Sequence, residues 1–210
     1  MDRNDEEQLA VLRDWWHRNG VSVMAGLLMA AVGAGGWWGY DLWQERTAQQ
    51  SAAAYQEFLQ AARLGGSPDE IQEAVRRLQE DHGGSAYAAM ATLQLARQQL
   101  EAGDYEQAAE TLAWVQHNAE DSALEQLARL RRAEALAGAG DLDGALAVVG
   151  TDPGTGFVGA FEAMRGDLLQ ERDRREEAVE AYRRALEAGD LDRDMREVVR
   201  LKLNSLGGEA

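Results

Sequence analysis

The longest uncharged stretch of the chain runs from Val21 to Tyr40. As an α-helix it would be about 30 Å long, which is the thickness of the hydrocarbon core of a membrane. Tryptophan and tyrosine side chains favour the two membrane–water interfaces, and such residues flank this stretch on both sides. They are Trp15 and Trp16 before it, and Trp37, Trp38, Tyr40 and Trp43 at its far end. The pattern predicts one transmembrane helix at 21–40.

The predicted helix is expected to be a retained signal anchor. The sequence Val32-Gly33-Ala34 weakly resembles a signal-peptidase site, but the segment before the apolar stretch is long and acidic, unlike that of a cleaved signal peptide. A buried helix of a soluble core is the alternative.

Arginines predict the orientation of this helix. Arg3, Arg13 and Arg18 precede it, whereas Arg46 alone follows closely. Because basic residues concentrate on the cytoplasmic side, we expect a cytoplasmic N-terminus and a periplasmic C-terminal region in a bacterial inner membrane. The opposite topology, with the C-terminal region in the cytoplasm, is the alternative.

Small residues recur along the same stretch at intervals of four. This spacing lets transmembrane helices approach each other closely, and the neighbouring tryptophans extend the surface. The candidate helix-contact residues are Gly26, Ala30, Ala34, Gly35, Trp37, Trp38 and Gly39. A glycine-rich anchor without a partner helix is the other interpretation.

The remainder of the chain carries a helical repeat. Four alanines, each following a polar turn, recur about 34 residues apart, which is the length of a tetratricopeptide repeat. They are Ala74, Ala108, Ala145 and Ala178. In the last three repeats a small residue stands twelve positions earlier, at Ala96, Ala133 and Gly166, where two helices of a hairpin would cross.

We therefore predict an all-α protein in which a single N-terminal transmembrane helix precedes a tetratricopeptide-like α-solenoid of about four helical hairpins. Residues 1–20 form a cytoplasmic segment, 21–40 the anchor, 41–50 a linker and the start of the first helix, and 51–206 the periplasmic repeat domain. A capping helix from about Asp192 to Leu206 closes the array. Its predicted buried residues are Met195, Val198, Val199 and Leu203.

Repeat arrays of this kind bind peptides in a concave groove lined by the first helix of each hairpin. The repeat phase gives five polar candidates, Arg97, Glu101, Glu134, Asp167 and Gln170. It gives an apolar floor of Met90, Leu93, Leu127 and Leu130. Ordinary surface and inter-helix packing is the alternative. The lysines with which some tetratricopeptide domains clamp a C-terminal carboxylate are absent, since Leu93 and Glu101 stand in those positions.

The composition of the chain excludes several classes of partner and of chemical site. The net charge of −16 disfavours nucleic-acid partners, and the lack of cysteine excludes disulfides, thiolate metal sites and cysteine nucleophiles.

The G-x-G-x-x-G sequence from Gly154 to Gly159 is not accompanied by the strands of a dinucleotide-binding fold, so we expect it to be a loop between the third and fourth hairpins. His17, His82 and His117 show no metal-binding spacing. We expect no catalytic residue, metal, cofactor or small-molecule substrate.

The N-terminal block resembles a known family. Glu6-Glu7-Gln8, the run from Val11 through Trp15-Trp16-His17-Arg18-Asn19-Gly20, and Gly36-Trp37-Trp38-Gly39-Tyr40 carry the resemblance. The stretches 51–55, 89–109 and 168–185 also fit. Over essentially its whole length the chain is similar to the ancillary SecYEG translocon subunit family of YfgM-like inner-membrane proteins.

The resemblance implies a non-enzymatic, single-span protein with a periplasmic tetratricopeptide-like domain. It also implies association with the SecYEG channel and with a membrane-anchored periplasmic prolyl-isomerase chaperone. It further implies a role in passing secreted proteins from the translocon to periplasmic chaperones. The alternative function is a structural tetratricopeptide scaffold of another cell-envelope assembly complex, and an enzyme that uses the glycine loop is a further one.

Overall fold

The computed structural model describes the backbone of residues 3–208 and the side chains of residues 13, 15–16, 18–20, 24, 26, 28–38 and 48–208. Within these residues the chain forms nine α-helices and no strand. They are α1 (Arg3–Arg63), α2 (Pro68–His82), α3 (Ala86–Ala102), α4 (Tyr105–Asn118), α5 (Ser122–Gly138), α6 (Leu142–Val149), α7 (Val158–Glu171), α8 (Arg175–Glu187) and α9 (Arg193–Ser205).

The chain divides into two compact units, residues 1–49 and residues 50–210. The predicted span at 21–40 lies within α1 in the first unit, although several of its side chains, including that of Tyr40, fall outside the described residues. Across the part of the chain that the structure describes, no helix has both the length and the apolar character needed to cross a membrane.

The second unit is a stack of helical hairpins, as predicted. From α2 to α9 each helix packs against the next along the chain, and the first helices of successive hairpins also meet, α3 with α5 and α5 with α7. The first hairpin forms between the end of α1 and α2, because Phe58 is buried with Ile71, Val75 and Leu78. Hairpins α3–α4, α5–α6 and α7–α8 follow, and α9 closes the array. The predicted four hairpins and capping helix are confirmed.

The turns within the last three hairpins share one backbone geometry. Gly103 and Gly140 have φ of 84° and 85°, a left-handed conformation that glycine adopts without steric cost, and Asp173 takes the same position with φ of 56°. In each turn the next residue's N–H reaches back five positions, as Asp104 N does to Gln99 O at 2.9 Å. These bonds satisfy carbonyls at the helix end, so the polar turns read from the sequence are helix C-caps.

The small residues predicted at the helix crossings lie where the hairpins close. Ala96 and Ala108 are fully buried in one apolar cluster, and Ala133 and Ala145 are fully buried in another. Side chains this small let the two helices of a hairpin approach closely. The larger apolar side chains then fill the space between one hairpin and the next.

The burial of the side chains of the capping helix agrees with the prediction at two positions and differs at two others. Asp192 caps α9 by accepting from Met195 N at 2.7 Å, and Val199 and Leu203 are buried as expected. Met195 and Val198, however, are exposed, so their predicted burial is wrong. The physical reason is that α9 packs against α8, while in the described residues no later helix covers its other side.

Most of the glycine-rich sequence is the expected loop between hairpins, but Val158 and Gly159 already belong to α7. Gly154 and Gly156 have φ of 70° and 86° in the connection between α6 and α7. Gly159 lies in the first turn of α7, where its N–H donates to Asp190 Oδ1 at 2.9 Å. No strand precedes this loop among the described residues, so the structure gives no dinucleotide-binding unit there.

Candidate functional site

A cavity of about 830 Å³ lies along the first helices of the second and third hairpins. We call it the α3–α5 groove. Side chains from α3 and α5 form most of it, with one contribution from α4. The lining residues are Leu93, Gln94, Arg97, Gln98, Leu100, Glu101, Leu112, Leu127, Arg131 and Glu134.

The floor of the α3–α5 groove is apolar. Leu112 is buried, Leu93 and Leu100 are partly buried, and Leu127 remains 37% exposed. The first three belong to or pack against the core cluster that joins α3, α4 and α5. The floor is therefore a rigid extension of the core, and an apolar ligand group seated on it would remove Leu127 from water.

Two exposed ion pairs form the rim. Arg97 Nε donates to Glu101 Oε1 at 2.8 Å on α3, and Arg131 Nη1 donates to Glu134 Oε2 at 2.8 Å on α5. Exposed pairs of this kind contribute about 0 to 1 kcal/mol, so a ligand can replace them at little cost. Among the described residues the Nη atoms of Arg97 have no protein partner, so they can donate to ligand carbonyls or carboxylates.

Five of the nine predicted groove residues come together here: Leu93, Arg97, Glu101, Leu127 and Glu134. The other four lie elsewhere. Met90 is partly buried on α3 outside the lining, and Leu130 packs against the cluster around Phe161. Asp167 and Gln170 line a different cavity.

That second cavity, of about 410 Å³, lies between α7 and α9 and is lined by Asp167, Gln170, Glu171, Lys202 and Ser205. Asp167 accepts from Tyr182 Oη at 2.6 Å and from Lys202 Nζ at 2.6 and 2.8 Å. Burial and the hydrogen bond to Asp167 raise the pKa of Tyr182 above its usual range. Asp167 thus joins α7, α8 and α9, and its carboxylate is already occupied.

Sequence reasoning missed five residues of the α3–α5 groove: Gln94, Gln98, Leu100, Leu112 and Arg131. A signal for one of them was present. Arg131 follows Arg97 by one repeat length, just as Leu127 follows Leu93, so the same period predicts an arginine on both walls.

A buried arginine was also missed, and its role is structural. Arg129 is 4% exposed and donates to the carbonyl oxygens of Asp152 at 2.9 Å and Val148 at 3.2 Å, and also to Thr151. Its guanidinium lies 4.7 Å from the centre of the Phe161 ring. The cation therefore satisfies one carbonyl in the last turn of α6 and carbonyls of the loop that follows it, where the helix dipole favours positive charge.

The histidines show no shared site. His117 Nδ1 lies 2.6 Å from Ala113 O, His82 ends α2, and the side chain of His17 falls outside the described residues. Over the described residues, no cluster of three histidine or acidic side chains is placed to hold a metal ion.

The candidate anchor residues lie in the first unit. Trp37 and Trp38 are 80% and 68% exposed, and Ala30 and Ala34 are exposed. A Cβ added at Gly26 or Gly35 would meet no atom within 4 Å. Gly39 lies on α1, but outside the residues whose surroundings are described.

The family model of the tetratricopeptide repeat-like domain matches residues 13–208. The chain is 30% identical over 205 residues to the ancillary SecYEG translocon subunit of Neisseria gonorrhoeae, covering 96% of this chain and 97% of that protein. The Escherichia coli protein of the same name is 25% identical over 203 residues, covering 97% of each chain. The Haemophilus influenzae one is 24% identical over 204 residues, covering 96% and 97%.

The helical hairpins and the open groove are consistent with the repeat-like domain that these full-length similarities indicate. A tetratricopeptide repeat-like domain is a non-enzymatic interaction scaffold. The chain belongs to the ancillary SecYEG translocon subunit family.

Proposed function

We propose that this chain is a membrane-tethered interaction module that associates with the SecYEG translocon and helps to pass secreted proteins to periplasmic chaperones. The observation that carries this proposal is the similarity to translocon subunits over almost the full length of both chains. A shared repeat domain alone would not favour a translocon, because such domains serve many assemblies.

The proposed anchor is residues 21–40, a single span of the bacterial inner membrane. The described large apolar side chains of this segment are all more than half exposed: Met24, Leu28, Met29, Val32, Trp37 and Trp38. Burial of one such side chain is favourable by about 1.5 to 3 kcal/mol, so a row of them left in water would be costly. Lipid around the helix would cover them, with the tryptophans at one interface.

The proposed topology follows from the arginines and from the division of the chain. Arg13 and Arg18 precede the span, which favours residues 1–20 in the cytoplasm. Residues 41–50 would then link the span to a periplasmic repeat domain at 51–206. The boundary between the two compact units, at residues 49 and 50, supports this division.

The small residues of the anchor are the proposed contact with partner membrane helices. Gly26, Ala30, Ala34, Gly35 and Gly39 would let a second helix approach closely, and Trp37 and Trp38 would flank it. Replacing Gly35 and Gly39 together by leucine should weaken co-purification with membrane partners. Unchanged co-purification would contradict this contact face.

The α3–α5 groove is the proposed site for protein segments. Its leucine floor can hold apolar side chains, and its rim can satisfy backbone groups of an extended chain. The proposed occupants are segments of secreted proteins and of a membrane-anchored periplasmic prolyl-isomerase chaperone. Tethering at the membrane raises the local concentration of the groove, so weak contacts suffice.

Affinity purification of the full-length tagged chain from solubilised membranes tests the proposal. We expect SecYEG subunits and a membrane-anchored prolyl isomerase to co-purify. A single unrelated envelope complex, without any translocon subunit, would instead favour the structural scaffold of another assembly. A periplasm-dependent reporter fused to the C-terminus tests the topology, since activity requires the repeat domain outside the cytoplasm.

A further inference from the structure

Three large apolar side chains lie exposed along one side of the capping helix α9. Met195, Val198 and Leu201 are 46%, 44% and 61% exposed. They follow one another at intervals of three residues, so they form one stripe about 9 Å long. The terminal element of a repeat stack normally presents a polar outer surface, and this stripe departs from that rule.

The same helix is poor in negative charge. A chain with a net charge of −16 repels a second copy of itself over most of its surface. On α9 the basic residues outnumber the acidic ones: Arg193, Arg196, Arg200 and Lys202 against Asp194 and Glu197. These basic residues attract the acidic remainder of a second copy, so two copies can approach through α9 with less repulsion than elsewhere.

One arrangement of two copies brings complementary groups together. In an antiparallel pair of α9 helices with the two-fold axis at Val198, Met195 of one copy faces Leu201 of the other. Asp194 of one copy then faces Lys202 of the other, and each contact occurs twice. Asp194 is exposed, and Lys202 uses two of its three N–H donors on Asp167, so a third donor is available.

We infer that the stripe of Met195, Val198 and Leu201 is a contact between two copies of this chain, paired antiparallel through α9. The area of the stripe is smaller than the surface that each partner buries in a stable interface, which is about 800 Å². The contact is therefore weak in dilute solution and forms where the copies are concentrated. Crosslinking of the full chain in its native membrane is the suitable measurement, and its outcome does not depend on whether a translocon binds.

The chain has no cysteine, so one introduced thiol is the only one present. Val198→Cys in the full chain, oxidised in native membranes, should give a disulfide-linked homodimer, because this position meets itself across the axis. Arg200→Cys is the matched control, since its side chain is 45% exposed on the same helix but points about 200° away. We expect at least about fivefold more homodimer from Val198→Cys.

The register has its own test. With two differently tagged copies in one cell, Met195→Cys and Leu201→Cys should form mixed dimers in preference to dimers of either variant with itself. Adding Asp194→Lys to Val198→Cys should lower the yield severalfold, since it places two positive charges opposite each other. Equal yields from the Val198 and Arg200 variants, or Val198 adducts with a different protein instead of a second copy, would overturn the inference.

Discussion

The ring of Tyr182 on α8 lies directly against the backbone of Gly166 on α7. A Cβ at position 166 would come within 2.5 Å of Cε1 and 2.6 Å of Cδ1 of that ring. Tyr182 is fully buried, and its hydroxyl reaches Asp167 at the neighbouring position. The glycine thus makes room for an aromatic ring that packs in the apolar cluster shared by the fourth hairpin and the capping helix.

Gly166→Ala should destabilise the repeat domain. The added methyl must displace the Tyr182 ring, and overpacking of a core typically costs about 1 to 3 kcal/mol. The better helix propensity of alanine offsets about 1 kcal/mol of this cost, so we expect a net loss of up to about 2 kcal/mol. Thermal unfolding of the full chain in detergent measures the change.

Gly33→Ala is the matched control for that substitution. It also lies within a helix, but a Cβ there meets no atom within 4 Å. A melting temperature of Gly166→Ala equal to that of Gly33→Ala would contradict the close packing of Tyr182 on Gly166.

Tyr182 makes the domain sensitive to alkaline pH. Its pKa is raised above the usual value of 10.0, because burial and the hydrogen bond to Asp167 both favour the neutral phenol. A raised folded-state pKa contributes stability that is present below about pH 10 and is lost as the pH rises further. The stability advantage of the wild type over Tyr182→Phe should therefore shrink above about pH 10, in unfolding measured from pH 8 to 11. A constant difference across this range would contradict a buried, titrating phenol.

Arg129→Met should be strongly destabilising although it removes no ion pair. The substitution leaves the carbonyl group of Asp152 without its arginine donor, leaves that of Val148 with Thr151 Oγ1 alone, and removes the cation from the face of Phe161. Partly buried acceptors that lose a charged donor, together with the lost packing of the guanidinium on Phe161, cost about 2 to 4 kcal/mol in total. Arg131→Met, at an exposed arginine on the same helix, should change the free energy of unfolding by less than about 0.5 kcal/mol. Similar losses for both variants in chemical denaturation would refute the structural role of Arg129.

The sequence predicted those parts of the fold that depend on local chemistry. The left-handed glycines at 103 and 140 and the buried pair Ala96 and Ala108 follow from short-range patterns that repeat along the chain. The exposure of Met195 does not follow from such a pattern. Burial of this side chain depends on whether another helix packs against the second side of α9.

The candidate groove was predictable only in part for a similar reason. Repeat phase placed Leu93, Arg97 and Leu127 correctly on first helices. It could not show that Tyr182 and Lys202 would take up the carboxylate of Asp167, since these residues are distant in the sequence. Long-range pairs of this kind emerge only when the hairpins are stacked.

Leu127→Glu should impair partner binding without unfolding the domain. The side chain is 37% exposed on the floor of the α3–α5 groove, so a carboxylate there stays hydrated but excludes an apolar ligand group. We expect recovery of groove partners in affinity purification to fall severalfold, with little change in melting temperature. Val158→Glu, at a similarly exposed apolar residue outside the groove, should leave recovery unchanged. Equal effects of the two variants would place the binding surface elsewhere.

The most direct test of the account is photocrosslinking in living cells from positions 38 and 97, with mass spectrometry of the adducts. A photoreactive residue at Trp38 should capture SecYEG subunits, and one at Arg97 should capture secreted chains or a periplasmic chaperone. Glu110, exposed on the second helix of its hairpin, is the control position and should give few adducts. Adducts with one unrelated envelope complex at both positions, and no translocon subunit at either, would contradict the account.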